Sequence, residues 1–368
     1  MKTRTIILFI LFVTFGGCSK KEDVIKIGWI GPLTGEAAYY ASMVQNATIM
    51  AEDEINSQGG INGKKIQLIF EDDQLNPALG ISAFNKLITL EKVPLVIQAA
   101  GSGVMLAEAP IAERAHVVLI SPTCSNDKIR DAGDYIFRTW PSDAYQGKFL
   151  ADFAITNLKT KTASILYLKN EYGEGLKNEF EKEYSKNGAT IILEESFLPG
   201  GTDFRSILTK VKQKQSDIIV LASLYKESAL LIKQARELGI KTQIVGGDGN
   251  FAPELITLSG KSSEGVIISN MKWSVKSEEP VVKTFVTKFK ETFGKEPEVY
   301  AAAGYDCMKI VAEAIRVGGY SSEEIKKALY NIKGYNGVTG TISFDEFGEI
   351  EGKYDAFIVK NGNFEPYK

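Results

Sequence analysis

The sequence predicts an α/β protein made of two open, doubly wound sheets joined by a three-segment hinge. Three observations carry this reading. From Val24 onward, short β-branched runs alternate with amphipathic stretches, the pattern of βαβ units on a parallel sheet. After the segment FRTWPSD, residues 137–143, the alternation starts again. The pieces beyond about residue 270 are too few for a third sheet and are expected to complete the first two.

The chain opens with Lys2 and Arg4, an apolar run IILFILFVTF, and then GGC ending at Cys18. This reads as an export signal over residues 1–17. The run is too short to cross a bilayer, which takes about 20 apolar residues. Small residues precede Cys18 and the polar stretch SKKED follows it, so Cys18 looks like the acylated first residue of a lipid-tethered chain, with 18–23 as the tether. The alternative is cleavage near Gly17 and release. Either way the chain is expected outside the cytoplasm.

In the first unit, VIKIGWIG, KIQLIFE, VPLVIQAA and HVVLIS read as strands, near-continuously apolar as a sheet covered on both faces requires. Helices are expected over 37–56, 77–90 and 104–114. In the second unit, ASILYL, TIILEES, DIIVLAS and TQIVGG read as strands, with helices over 144–157, 175–187, 203–214 and 226–238. Strand GVIIS follows, then helices over 281–293, 299–317 and 321–332, and strands GTISF and YDAFIVK. The expected lobes are 24–143 with 272–347, and 144–271 with 348–368.

Composition narrows the function. With 368 residues, 44% hydrophobic and 24% charged, the chain is ordinary globular material for about two domains. A net charge of −3 and the lack of a long Lys/Arg block argue against a nucleic-acid partner. A small neutral or zwitterionic ligand fits better. Cys124 and Cys307 match no metal or redox spacing and are expected to be free. His116 is the single histidine, which excludes a two-histidine metal site and weakens a Ser-His-Asp triad. Cys124 without a placed base is a poor nucleophile, so no enzyme is expected, and no cofactor or metal. GEGLKNEF lacks the Gly-Lys-Ser/Thr ending of a phosphate loop, and Glu71, Asp72 and Asp73 read as a solvated loop.

Ligands of open α/β sheets bind beyond the carboxyl ends of the strands, so the residues after each strand matter most. AAGSG places Ser102 near a helix N-terminus, where unpaired N–H groups and the helix dipole attract a carboxylate. SPTCSN offers Thr123 and Ser125. GGDGN sets Asp248 between glycines, able to hold an ammonium. An anion site on one lobe and a cation site on the other match an α-amino acid. Taken singly, Ser102 fits an N-cap, Thr123 and Ser125 a strand end, and Gly-Asp-Gly a turn.

The stretches IKIGWIGPLTGEAAYY, INSQGGINGKKIQLIFEDDQLNP, NEYGEGL and IKQARELGIKTQIVGGDG resemble the periplasmic leucine-isoleucine-valine-binding proteins of ABC transporters, from about Val24 to the C-terminus. The resemblance implies the type I periplasmic-binding fold and a monomer closing on an apolar α-amino acid for delivery to permease subunits. It implies that Ser102, Thr123 and Ser125 hold the amino-acid backbone, mainly the carboxylate, and that Asp248 takes the ammonium. It also implies that Tyr40, Tyr172 and Tyr300 line the side-chain pocket, while Tyr39 and Tyr305 fit the core. Gly101 and Leu75 stand where the family has a disulfide, and Leu224 where it has a ligand-contacting tyrosine, for which Tyr225 is a possible substitute. The replacements at Gly101 and Leu224 are expected to enlarge or reshape the pocket, loosening a strict preference for leucine, isoleucine or valine so that a larger apolar or aromatic amino acid also fits. The alternative role is a sensor of an amino acid or small amide acting through a membrane signalling partner.

Overall fold

The computed structural model describes residues 24–35 and 37–368, so the export signal, the tether and Cys18 lie outside the described residues. Strands β1 (Ile25–Gly31), β2 (Ile66–Asp72), β3 (Leu95–Gln98), β4 (Val118–Ser121) and β5 (Ile136–Arg138) form a parallel sheet in the order β2-β1-β3-β4-β5. Every residue of β3 and β4 is buried, which is why these strands read as continuous apolar runs. Helix α1 (Ala38–Ser57) turns Tyr40, Val44, Ala47, Ala51 and Ile55 inward at helical spacing. On the opposite face lie α2 (Pro77–Lys86) and α3 (Ser102–Ala115), packed through Phe84, Met105 and Ala109 against Ile30, Val96 and Leu119. Helix α2 starts where it does because the Asn76 side chain accepts from Ala78 N and Leu79 N, with Pro77 preset for the first turn.

The second sheet contains β6 (Thr162–Leu168), β7 (Thr190–Phe197), β8 (Ile218–Ala222), β9 (Gln243–Gly246) and β10 (Ile267–Met271), closed by β13 (Tyr354–Lys360) and β14 (Asn363–Pro366). Its order is β14-β13-β10-β9-β8-β6-β7. All neighbours run parallel except β10 with β13 and β13 with β14, which are antiparallel. Helix α4 (Asp143–Thr156) leads into this sheet, and α5 (Glu171–Lys186), α6 (Arg205–Lys214), α7 (Tyr225–Glu237) and α8 (Pro253–Ser259) connect its strands.

The chain passes between the sheets three times, at 139–142, 272–279 and 343–353. After the second crossing, α9 (Pro280–Phe293), α10 (Val299–Gly318) and α11 (Ser322–Tyr330) return to the first sheet, with α10 lying along α1. A two-stranded hairpin of β11 (Tyr335–Gly337) and β12 (Gly340–Ile342) precedes the last crossing. Arg138, the last residue of β5, links the start of the first crossing to the third. Its buried guanidinium donates to the carbonyls of Ser125 and Asn126, both at 2.8 Å, and pairs with Glu349 of the third crossing.

Several expectations shift. Strand β5 starts one residue before FRTWPSD and takes in its first two residues, and β5, β11 and β14 were not foreseen: three or four residues are too few to show a period. His116 is not in a strand; it caps α3 in the left-handed region (φ 52°), is exposed, and stacks on Tyr135. The acidic run is not a solvated loop: Glu71 and Asp72 end β2, and Asp73 is wholly buried. Burial pushes the Asp73 carboxyl up to about 6 despite hydrogen bonds from Gln98 and Leu75. Cys124 and Cys307 are free and buried, and burial raises both thiols to about 12.

Candidate functional site

A cleft of about 410 Å³ lies between the two sheets, within the size range of small-molecule sites. Strand ends build it. From the first sheet come Gln74 and Leu75 after β2, Ala100, Gly101 and Ser102 after β3, and Thr123 after β4. From the second come Leu168 at the end of β6, Asn170 and Tyr172 after it, Pro199 after β7, Leu224 and Glu227 after β8, and Asp248 and Gly249 after β9. Tyr40 of α1, Val104 of α3 and Tyr300 of α10 also line it. Both sheets thus present their carboxyl ends to one space.

Asp248 is the electrostatic centre. It is only 4% exposed. Oδ1 accepts from Tyr172 Oη and from Gly249 N, each at 2.8 Å, and Oδ2 accepts from Trp140 Nε1 at 3.0 Å. With its amide oriented so that the oxygen accepts from Asp248 N (2.8 Å) and Ser269 Oγ (3.0 Å), Gln146 donates to Oδ1 at 3.2 Å. Burial raises this carboxyl above the usual range, and the four donors pull against that rise. All four are neutral. The site therefore holds a buried acid oriented by dipoles, with no cation among its hydrogen-bond partners in the described residues.

The glycines beside Asp248 serve close approach. A Cβ at Gly249 would lie 2.7 Å from Tyr172 Oη, and one at Gly247 would lie 2.2 Å from Leu176 Cδ2. Helix α5 can deliver Tyr172 to Asp248 only against bare backbone. Across the cleft, Tyr40 Oη donates to the Gly249 carbonyl and Tyr300 Oη to the Asp248 carbonyl (2.6 Å). Tyr300 also stacks on Trp140, with centroids 5.5 Å apart, and meets Tyr40 edge-on at 5.2 Å. Asp143, the first residue of α4, is buried nearby; burial first, and then the Asp248 charge, push its carboxyl well up.

On the opposite wall, Ser102 is the first residue of α3 and follows Gly101, which holds the N-cap position, so Ser102 is not the cap. Its Oγ instead accepts from Ser125 N and Asn126 N, both at 3.3 Å, which leaves its own O–H to donate. Thr123 Oγ1 donates to the Ala99 carbonyl at 2.7 Å and keeps its lone pairs for the cleft. Of the nine positions expected to form the ligand site, Tyr40, Gly101, Ser102, Thr123, Tyr172, Leu224, Asp248 and Tyr300 line this one space. Ser125 does not. It is buried behind Ser102, its carbonyl taken by Asp143 N and Arg138.

Two further expectations change. Tyr225 does not stand in for a tyrosine at Leu224: it is buried against Tyr39 and Tyr40, edge-on to both, outside the cleft lining. Nor does Gly101 simply open the pocket. A Cβ there would lie 2.7 Å from Leu75 Cδ1, so Leu75 fills the adjacent room. Sequence reasoning also missed Trp140, Gln146, Leu75 and Glu227. The last lines the cleft from the first turn of α7 and accepts from Gly200 N at 3.0 Å. Position after β8 was the available signal. Cys124 lies outside the lining and, with its thiol raised by burial, is no thiolate nucleophile near neutral pH.

Two open, mostly parallel sheets, three crossings and a cleft over the facing strand ends define the type I periplasmic-binding fold. The chain belongs to the periplasmic binding protein family, whose model matches residues 24–363. It is 30% identical over 339 residues to a Leu/Ile/Val-binding protein homologue of Brucella suis biovar 1, covering 92% of this chain and 90% of that one. Among solved structures, it is similar to the leucine-binding protein LivK of Thermotoga maritima, with a TM-score of 0.89 and 31% identity over 94% of this chain and 98% of that one. It is likewise similar to the branched-chain amino acid binding protein LivJ of Streptococcus pneumoniae, solved in complex with isoleucine, with a TM-score of 0.86 and 33% identity over 93% and 98% of the two chains. Among the described residues, no helix is long and apolar enough to cross a membrane.

Proposed function

We propose that this chain is the extracytoplasmic, lipid-anchored binding subunit of an ABC importer, taking an apolar α-amino acid, branched-chain or aromatic, into the cleft. One observation carries the reading: the buried Asp248 carboxylate, oriented only by neutral donors, faces a wall that offers hydrogen-bond donors. A ligand ammonium would supply the counter-charge Asp248 lacks, with Thr123 Oγ1 as a second acceptor. The ligand carboxylate would take the Ser102 hydroxyl and the first-turn N–H groups of α3. Leu75, Val104, Leu168, Pro199 and Leu224 supply an apolar surround for the side chain. The named specificities of the similar proteins point the same way.

The proposed mechanism is closure of two lobes, 24–143 with 272–347 and 144–271 with 348–368, about the three crossings. A ligand that touches both walls binds the closed arrangement better than the open one and shifts the population toward it. The hydroxyls of Tyr40 and Tyr300, reaching carbonyls of the opposite lobe, favour the same state. The closed monomer, tethered through an acylated Cys18, would then present both lobes to permease subunits. A thermal-shift screen of amino acids, aromatic acids and sugars, with native mass spectrometry of the purified chain, tests the reading. Stabilisation by leucine-like or aromatic amino acids is expected; stabilisation confined to sugars would refute it.

A further inference from the structure

The turn after β2 is held in an unusual conformation at the edge of the cleft. Gln74 and Leu75 both adopt positive φ, 51° and 58°, in the left-handed region where a Cβ is crowded. Both line the cleft. The two upstream acids brace them: Gln74 N donates to Asp72 Oδ1 at 3.0 Å, and Leu75 N to Asp73 Oδ1 at 2.7 Å. The buried Asp73 also accepts through Oδ2 from Gln98 Nε2 at 2.8 Å, and that amide donates again to the Ala100 carbonyl at 2.8 Å. One relay thus couples the turn after β2 to the loop after β3. Beyond the turn, the Asn76 cap anchors α2.

Opposite Leu75 stands Gly101, at φ 102°, whose missing Cβ leaves the room that Leu75 Cδ1 enters. A strained conformer persists only where its surroundings over-determine it. Here the hydrogen bonds over-determine the turn, and what they position is an aliphatic side chain on the cleft wall. We propose that Leu75 is a specificity-determining residue, a braced wall that limits how large an apolar ligand side chain the cleft accepts. Asp73 and Gln98 do not line the cleft and act as positioning residues. The assignment rests on the amino-acid reading above.

The test is calorimetry of the full chain without its export signal, wild type against Leu75→Gly and Leu75→Met, each titrated with L-leucine and L-phenylalanine. Glycine tolerates positive φ, so Leu75→Gly removes the wall while relieving the crowding and should melt close to wild type. Its affinity ratio should move toward phenylalanine by roughly 10-fold or more, the scale on which a few methylenes discriminate in an apolar pocket. Leu75→Met, of similar volume, should keep the wild-type ratio. Asp73→Ala, which frees Leu75 N and Gln98, should move the ratio in the direction of Leu75→Gly but less far. A folded Leu75→Gly chain whose ratio stays within about twofold of wild type overturns the assignment. A wild type that binds neither amino acid overturns the amino-acid reading itself and this assignment with it.

Discussion

Replacing Asp248 by asparagine should abolish tight binding while leaving the ligand-free fold nearly intact. The carboxylate is buried, its hydrogen-bond partners among the described residues are neutral, and the proposed ammonium would be its counter-charge. Removing one member of a buried ion pair costs about 3–5 kcal/mol, because the other charge is left uncompensated. At about 1.4 kcal/mol per tenfold, Asp248→Asn should raise Kd by roughly two to three and a half orders of magnitude. Without ligand, two effects oppose. The substitution removes a buried charge that burial already pushes toward protonation. It also turns an amide N–H₂ toward Trp140 Nε1 or toward the Tyr172 and Gly249 donors, a mismatch of about 1–3 kcal/mol. The melting temperature should therefore move little compared with the loss in affinity. Calorimetry with L-leucine and L-phenylalanine reads the affinity, and scanning calorimetry the fold. A Kd within about threefold of wild type would refute the assignment of the ammonium to Asp248.

Ser102→Ala should weaken amino-acid binding by about 1.5–3 kcal/mol, the worth of a hydrogen bond to a charged group, yet barely affect an amine analogue that lacks the carboxylate. Affinity should fall on acidification through the raised Asp248 pKa, since the carboxyl must ionise to meet an ammonium; Tyr172→Phe, by removing a donor to that carboxylate, should move this limb to higher pH, as titrations across pH would show. Tyr40→Phe and Tyr300→Phe should each favour the open arrangement by about 1 kcal/mol, seen as a larger radius of gyration in X-ray scattering of the ligand-free chain. Asp73 and Asp306 are both raised by burial from 3.8 to about 6, and only in the pH range between those two values do they hold protons in the folded chain that the unfolded chain has released. Their contribution is complete below pH 4 and is lost as pH rises through 6. Melting temperature should accordingly rise between pH 7 and pH 5, before acids such as Asp72 and Asp217, whose pKa values are lowered on folding, reverse the trend at lower pH.

The fold was legible because both sheets are covered on two faces, which imprints continuous apolar runs such as VPLVIQ and HVVLI. Strand β5 escaped because three buried residues carry no period, and β14 because an exposed edge strand needs no apolar face. In the site, Ser102, Thr123 and Asp248 were found from position alone, each just beyond a strand end. Trp140 and Gln146 were not. They reach Asp248 from the first crossing and from α4, over separations of about a hundred residues that no local pattern encodes. Asp73 was misread because an acidic triplet looks solvated until the structure shows one member turned inward, bracing Leu75.

If the cleft recognises the ammonium of an apolar amino acid, titrating the wild-type chain with L-leucine and with 4-methylpentanoate, the same molecule without its ammonium, separates that contact from the rest of the ligand. Leucine should bind, and the analogue should bind at least about 100-fold more weakly, since it leaves Asp248 buried without a counter-charge and facing an apolar group. Equal affinity for the two would contradict it.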